Sequence, residues 1–267
     1  MAKPFVFDRP ESTWIVQARQ AFLQQLLADL KPQCDLKTAL DVGCGVGYFS
    51  AFLRDLGFQV VALDARPQNI EEARARHPGI DFRVANVEDL RPEELGGYDF
   101  VLCFGLLYHL ENPMRALRRL RAVTGKLLLV ESMSVPGEAP VLYLRDESEI
   151  EDQALHSVAA YPSEGALVKM AYRAGFPVVY RPTALPDHED FRAELGRERT
   201  RTVIAASTSP LQHPALALTP EPAGRADLWS SDPAGVGRMA HRFRRFLRLP
   251  WQEKWARLRR RYLASGD

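Results

Sequence analysis

The chain has 267 residues, of which 46% are apolar and 26% charged, with a formal net charge of +1. Those proportions fit a globular protein with one large domain, or one domain plus an appendage. They come with no apolar run long enough for a transmembrane helix, no signal-peptide core in MAKPFVFDRP, and three scattered cysteines, Cys34, Cys44 and Cys103, lacking metal-ligand spacing or a disulfide framework; a reducing cytoplasm is the expected compartment.

Residues 11–30, ESTWIVQARQAFLQQLLADL, predict an amphipathic helix with Trp14, Ala18, Phe22, Leu26 and Leu30 at helical spacing, ended by Pro32. Short apolar strands and helices then alternate. Strands are expected at Thr38–Val42, Gln59–Leu63, Ile80–Val84, Tyr98–Phe104 and Lys126–Glu131. Helices are expected at Tyr48–Leu56, at Pro67–Arg76 with proline in its first turn, and near Pro113–Ala122. The alternation predicts a mostly parallel sheet with helices on both faces. Ser132–Tyr161 shows no clear sheet pattern. A helix follows at Pro162–Ala174, stopped by Gly175, and strands at Val178–Arg181 and Arg201–Ala206. Ser207–Gly237, with five prolines and three glycines, reads as a linker.

The stretch ALDVGCGVGYFS, Ala39–Ser50, runs a strand into a turn with glycines at 43, 45 and 47. Such glycines let a ligand approach the backbone, and the following helix offers free N–H groups to an anion. The second strand ends in Asp64, well placed to accept from ribose hydroxyls. Dinucleotide sites usually show G-x-G-x-x-G. Here the spacing is G-x-G-x-G, with Asp41 two residues before the first glycine. An acid there repels a pyrophosphate but can pair with an ammonium, which favours a cofactor bearing an amino acid.

Four stretches together, ALDVGCGVGYFS, VVALDAR, FRVANVEDL and YDFVLCFGLLYHL, make the chain resemble the class I S-adenosylmethionine (SAM)-dependent methyltransferases. The resemblance implies a Rossmann-like, doubly wound, mostly parallel seven-stranded sheet with a closing antiparallel hairpin. It implies SAM as cofactor, with Gly43, Cys44 and Gly45 along its methionine part and Asp41 near its amino group. Asp64 and Ala65 belong to the ribose side, Asn86 and Val87 flank the adenine, and Phe104 closes the fourth strand against the cofactor. Asn86 stands where the family often has Asp; its carbonyl can still accept from the adenine amino group.

The exit of the fourth strand, Cys103–His109, is where this fold places the reacting methyl group. Methyl transfer is a direct displacement, so alignment supplies much of the catalysis. His109 is the candidate base for an acceptor that must lose a proton, or alternatively a helix cap. Tyr108 either lines the donor pocket or packs; its ring can attract a sulfonium. N-P-P-Y and D-P-P-Y are absent after the fourth strand, which argues against DNA adenine or protein glutamine methylation. The expected reaction is O-methylation of a small metabolite or glycan. The alternatives are an enzyme resembling the tRNA wobble-uridine carboxymethyltransferases, on the strength of LYHLENP, and a non-catalytic SAM-binding protein. The acceptor pocket is expected from Trp14, the 132–161 insert and the last strand connection; Tyr143, Arg145, His156, Tyr161 and His188 are either its liners or ordinary surface and packing residues. DESEIED, 146–152, reads as a solvated helix face, and no metal site is expected.

From Arg238 to Asp267 ten Lys/Arg face two acids, a local charge of +8, which leaves −7 on the rest. This basic, aromatic-rich tail is expected to be helical, broken near Pro250. It can dock on the chain or a second copy, lie on an anionic membrane, or contact RNA. The acidic body offers no broad basic face for a nucleic acid.

Overall fold

The computed structural model describes residues 5–147, 155, 158–192 and 200–223. Helix α1 is Pro10–Gln33, followed by β1 Thr38–Val42, α2 Tyr48–Asp55, β2 Gln59–Asp64, α3 Pro67–Arg76, β3 Asp81–Val84 and the short α4 Pro92–Leu95. Next come β4 Tyr98–Phe104, α5 Pro113–Val123, β5 Thr124–Ser134, β6 Leu142–Asp146, β7 Val158–Pro162, α6 Glu164–Ala174, β8 Val178–Pro182, β9 Thr200–Ser207 and β10 Leu216–Leu218.

The main sheet has eight strands in the order β10-β8-β9-β5-β4-β1-β2-β3. The β1–β2, β1–β4, β2–β3 and β4–β5 pairings are parallel. Strand β9 runs antiparallel to both β5 and β8, which closes the sheet with a hairpin. All seven expected strands are present, and β10 adds an eighth at the edge of β8. The order reverses between β1 and β4, and such a switch point opens a crevice beyond the carboxyl ends of the strands.

Period-two alternation drives both faces into cores. Along β4, Phe100, Leu102 and Phe104 pack with Phe22, Leu26, Phe49 and Leu127 on one face. Val101 and Cys103 pack with Leu117, Leu120, Val130 and Leu167 on the other. Helix α5 starts on Asn112, whose side chain accepts from the Arg115 N–H at 3.0 Å, with Pro113 as its first residue. Helix α6 starts on Ser163, which accepts from Ala166, and stops at Gly175 with φ 105°.

Three expectations are corrected. Pro32 does not end α1; it sits in the last turn, and the turn closes at Asp35 with φ 49°. Trp14 is 66% exposed, because Ile15, Arg19, Phe22, Leu23, Leu26, Leu27 and Leu30 form the buried face instead. The 132–161 insert contains strand structure: β5 continues to Ser134, and β6 and β7 form a separate antiparallel pair. Its pattern was hidden because β6 is solvent-facing along nearly its whole length, so no inward–outward alternation marks it.

The start of the expected linker is also packed. Leu216–Leu218 pairs with Pro182–Tyr180, the Tyr172 hydroxyl donates to the Thr219 carbonyl at 2.7 Å, and Arg173 meets Glu221 at 2.7 Å. The basic tail, 238–267, lies outside the described residues, as does His156. Among the described residues no helix is long and apolar enough to cross a membrane.

Candidate active site

The β1 exit forms a cradle against β2. Gly43 and Cys44 both donate backbone N–H groups to the Leu63 carbonyl, at 2.8 and 2.9 Å. Gly43 has φ 75°, and a Cβ there would lie 2.9 Å from Leu106. Gly45 has φ 54°, and its Cβ would lie 2.8 Å from the Phe7 ring. Side chains at both positions are thus barred by conformation and by space.

Asp64, at the end of β2, ties this turn to the cavity. Its Oδ2 accepts the Gly45 N–H at 3.0 Å; its Oδ1 accepts from the Arg66 N–H and the Asn69 amide at 2.9 and 3.1 Å. Oδ2 keeps acceptor capacity on the cavity side, the chemistry a vicinal diol requires. Gly43, Cys44, Asp64, Ala65, Asn86, Val87 and Phe104 line one continuous cavity of about 490 Å³, ample for a small ligand. The Asn86 side chain caps the turn at 87–89: its carbonyl accepts from the Glu88 N–H at 3.1 Å and its amide donates to Asp89 at 2.9 Å.

Two expected cofactor residues stand apart from this lining. Gly45 lies beneath Phe7. Asp41 is 2% exposed and accepts the Ser50 hydroxyl at 2.6 Å, behind the glycine turn. Burial pushes its carboxyl up to about 7, against the Ser50 hydrogen bonds and with help from the Asp64 charge. Burial also raises the Cys44 thiol, so it serves as a small apolar wall rather than a nucleophile.

A segment unmarked by any sequence signal covers the cradle. The 3₁₀ turn Val6–Asp8 places Phe7 over Gly45, and Asp8 fastens it. Arg76 on α3 donates to both Asp8 oxygens at 2.8 Å, and the Tyr48 hydroxyl donates at 2.7 Å. The Arg76 and Tyr48 hydrogen bonds outweigh burial and hold the Asp8 carboxyl at about 2.

The cavity continues past β4 toward β5 and β9. Tyr108 and His109 sit on the turn Leu107–His109, and both line it. His109 Nδ1 contacts Glu147 at 2.7 and 3.0 Å to its two oxygens, with the side chains 13% and 5% exposed. Glu147 is therefore not part of a solvated face; directly after β6 it meets His109 inside the cavity wall. The rest of DESEIED beyond Glu147 lies outside the described residues. The Tyr108 ring meets Tyr161 edge-on, centroids 5.6 Å apart, while Arg201 lies 5.6 Å over it. Its cationic partner is thus a protein guanidinium.

Tyr161 joins the wall as expected, with Met133, Leu155, Ser12 and Ile15. Trp14, Tyr143, Arg145 and His188 do not. Tyr143 is 61% exposed, and His188 caps the turn at 189–191 by accepting from the Asp190 N–H. Arg145 instead stacks over the Tyr161 ring at 5.5 Å. Arg19, Glu131, Glu147 and Arg201 were missed. Each is one polar residue inside an apolar or surface-like pattern, and only the fold brings them together.

The methyltransferase domain family matches residues 40–126. Over 97 residues the chain is 41% identical to a ubiquinone biosynthesis O-methyltransferase of Xanthomonas oryzae pv. oryzae, covering 34% of this chain and 41% of that one. A Xanthomonas campestris pv. campestris protein of the same name is 40% identical over 83 residues, 30% of this chain and 35% of its own. The chain thus spans about two-fifths of the curated relatives it matches. The N-terminal domain of EvdMO1, crystallised with S-adenosylhomocysteine (SAH), superposes with a TM-score of 0.60 at 19% identity, covering 74% of this chain and 84% of that one. Magnesium protoporphyrin IX methyltransferase from Synechocystis PCC 6803, with bound SAM, gives 0.50 at 18% identity over 78% and 86%. Residues 40–126 thus match the methyltransferase domain family, and the strand order and the glycine–acid cradle agree with that match.

Proposed function

We propose that the chain transfers a methyl group from SAM to a hydroxyl oxygen of a small molecule, with His109 as general base. The observation that carries this reading is the inward-facing His109–Glu147 pair on the wall of the cavity that Asp64 also lines. The relatives named as O-methyltransferases support the same acceptor atom. Bound SAM supplies a methyl group activated by its sulfonium.

The residues divide the work. Asp64 anchors the ribose hydroxyls, and the Gly43–Gly45 turn lies along the methionine part. Asn86 and Val87 hold the adenine edge. Glu147 accepts the Nδ1–H of His109, which leaves Nε2 as the nitrogen with a free lone pair. The acceptor hydroxyl gives its proton to Nε2 as its oxygen attacks, and the imidazolium that forms is stabilised by Glu147. Tyr108, Tyr161, Met133 and Phe104 keep water from the reacting atoms.

Titration calorimetry with SAM tests the cofactor half. Asp64→Ala should weaken binding severely, and unchanged affinity sinks the site. Labelled SAM with cell extract identifies the acceptor, and with it His109→Ala should lose roughly 10²–10⁴-fold in turnover. Wild-type turnover in that variant removes the base.

A further inference from the structure

Beyond β4 the cavity floor holds an ion cluster that methyl transfer itself does not require. Glu131 on β5 is fully buried, and two arginines converge on it: Arg19 of α1 at 2.9 Å and Arg201 of β9 at 3.0 Å. The Arg19 and Arg201 side chains are 7% and 12% exposed, and both line the cavity. Arg201 also stacks over the Tyr108 ring at 5.6 Å and reaches Asp190 at 3.2 Å. Asp190 is 40% exposed and outside the cavity lining, so solvent screens its share.

Within the cavity floor two guanidiniums therefore face one buried carboxylate. A guanidinium stays protonated, so the excess charge cannot be shed by titration. Arg19 is left short of partners: Nη2 pairs with Glu131 at 2.9 Å, but the buried Nε has no hydrogen-bond acceptor among the described residues. A buried donor without an acceptor is costly, and a planar fork of donors matches an oxyanion. The cluster lies across β5 and β9, on the far side of β4 from Asp64, in the half assigned to the acceptor.

We propose that Arg19 and Arg201 read an anionic group of the acceptor, a carboxylate or similar oxyanion, and so select anionic over neutral substrates. This rests on the methyl-transfer reading and names its substrate class. Tyr108 and Tyr161, with Met133 beside them, provide the aromatic wall on which a planar acid lies. The acid satisfies the Arg19 Nε donor; a neutral isostere leaves it buried and unmatched.

The test uses the full chain saturated with SAH and compares benzoate with benzamide by titration calorimetry. Benzoate should bind at least about tenfold more tightly, the factor one charge-assisted contact supplies. Arg201→Gln and Arg19→Gln should each erase most of that preference, Arg201→Lys should retain part of it, and SAH affinity should stay within about twofold. The wild-type comparison stands even where a variant fails to fold. Equal binding of the two probes, no benzoate binding, or a preference that survives both substitutions overturns the proposal. Loss of SAH affinity in the arginine variants also overturns it, by assigning the anion to the cofactor's own carboxylate. Failure of the wild-type chain to bind SAH instead refutes the methyl-transfer reading.

Discussion

Asp41→Asn isolates a buried carboxyl that folding makes reluctant to ionise. Asp41 is buried behind the glycine turn, with the Ser50 hydroxyl as its close partner, and its folded pKa is about 7 against an ordinary 3.8. A carboxyl whose pKa rises on folding contributes stability that is fully present below the unfolded value and is lost as pH climbs through the folded one. The loss therefore runs between about pH 4 and pH 7. Its slope approaches 1.4 kcal/mol per pH unit, and its sum is about 3 kcal/mol once local relaxation and water entry soften the burial. Asparagine keeps the carbonyl that accepts from Ser50 and removes the titration. Urea unfolding of the ligand-free protein from pH 5 to pH 8 should show the wild type losing ground to the variant by about 2–3 kcal/mol, with the same m-value. Parallel stability curves across that range would refute the assignment of a buried, reluctantly ionised Asp41.

The Asp8–Arg76 latch, the Phe7 cover and the His109–Glu147 pair give three more expectations. Asp8 is held at about 2, below its ordinary 3.8, so its contribution is present above about pH 4 and disappears as pH falls toward 2. With Asp8 29% exposed, Asp8→Asn should cost about 1 kcal/mol at pH 6 and almost nothing near pH 2, read by thermal melting; a pH-independent difference contradicts the pairing with Arg76. Phe7→Ala should uncover Gly45 and raise the SAH dissociation rate roughly tenfold by stopped-flow, a part of what burying one phenyl ring contributes; an unchanged rate removes Phe7 from the lid. Glu147→Gln keeps a partner for His109 but removes the charge that stabilises its imidazolium. Turnover of labelled SAM should fall about 10–100-fold with SAH affinity unaltered, and full turnover leaves His109 without its orienting acid.

The cofactor side was legible because its physics is local. The Gly43–Gly47 turn, Asp64 and the strand–helix alternation are each short patterns whose geometry follows from residue type; the strands fall where expected, and Gly43 and Asp64 line the cavity while Asp41 and Gly45 do not. The acceptor side was not legible, for physical reasons that differ by residue. Arg19 sits within the apolar stripe of α1, where a lone arginine reads as an interruption rather than a floor residue. Glu147 belongs to an acidic run that resembles a surface, yet directly after β6 it meets His109. Arg201 sits between Thr200 and Thr202 at the start of β9, where it reads as a polar strand end, and its partner Glu131 lies 70 residues earlier in the chain. Trp14 misled in the opposite direction, since a large aromatic at the right spacing was one helical step from the face that packs.

The same features make the ligand-free site a region of stored cost. Asp41 is buried with a carboxyl that resists ionising, and the buried Arg19 Nε has no acceptor among the described residues. Neither would persist in a core selected for stability alone, where buried polar groups find partners. They persist because the two surrounding apolar clusters fix the strands that carry them. On the proposed reading an acceptor anion relieves the cost at Arg19 while the cofactor binds against Gly43 and Asp64, so the two ligands should stabilise the fold through different residues. Occupying the cofactor half at about 100 times its Kd adds about 2.7 kcal/mol by mass action alone. Because the burial cost of Asp41 sits on β1, behind the turn, and the acceptor cost at Arg19 on α1, Asp41→Asn should change the pH dependence of ligand-free stability and leave benzoate-linked stabilisation as it was.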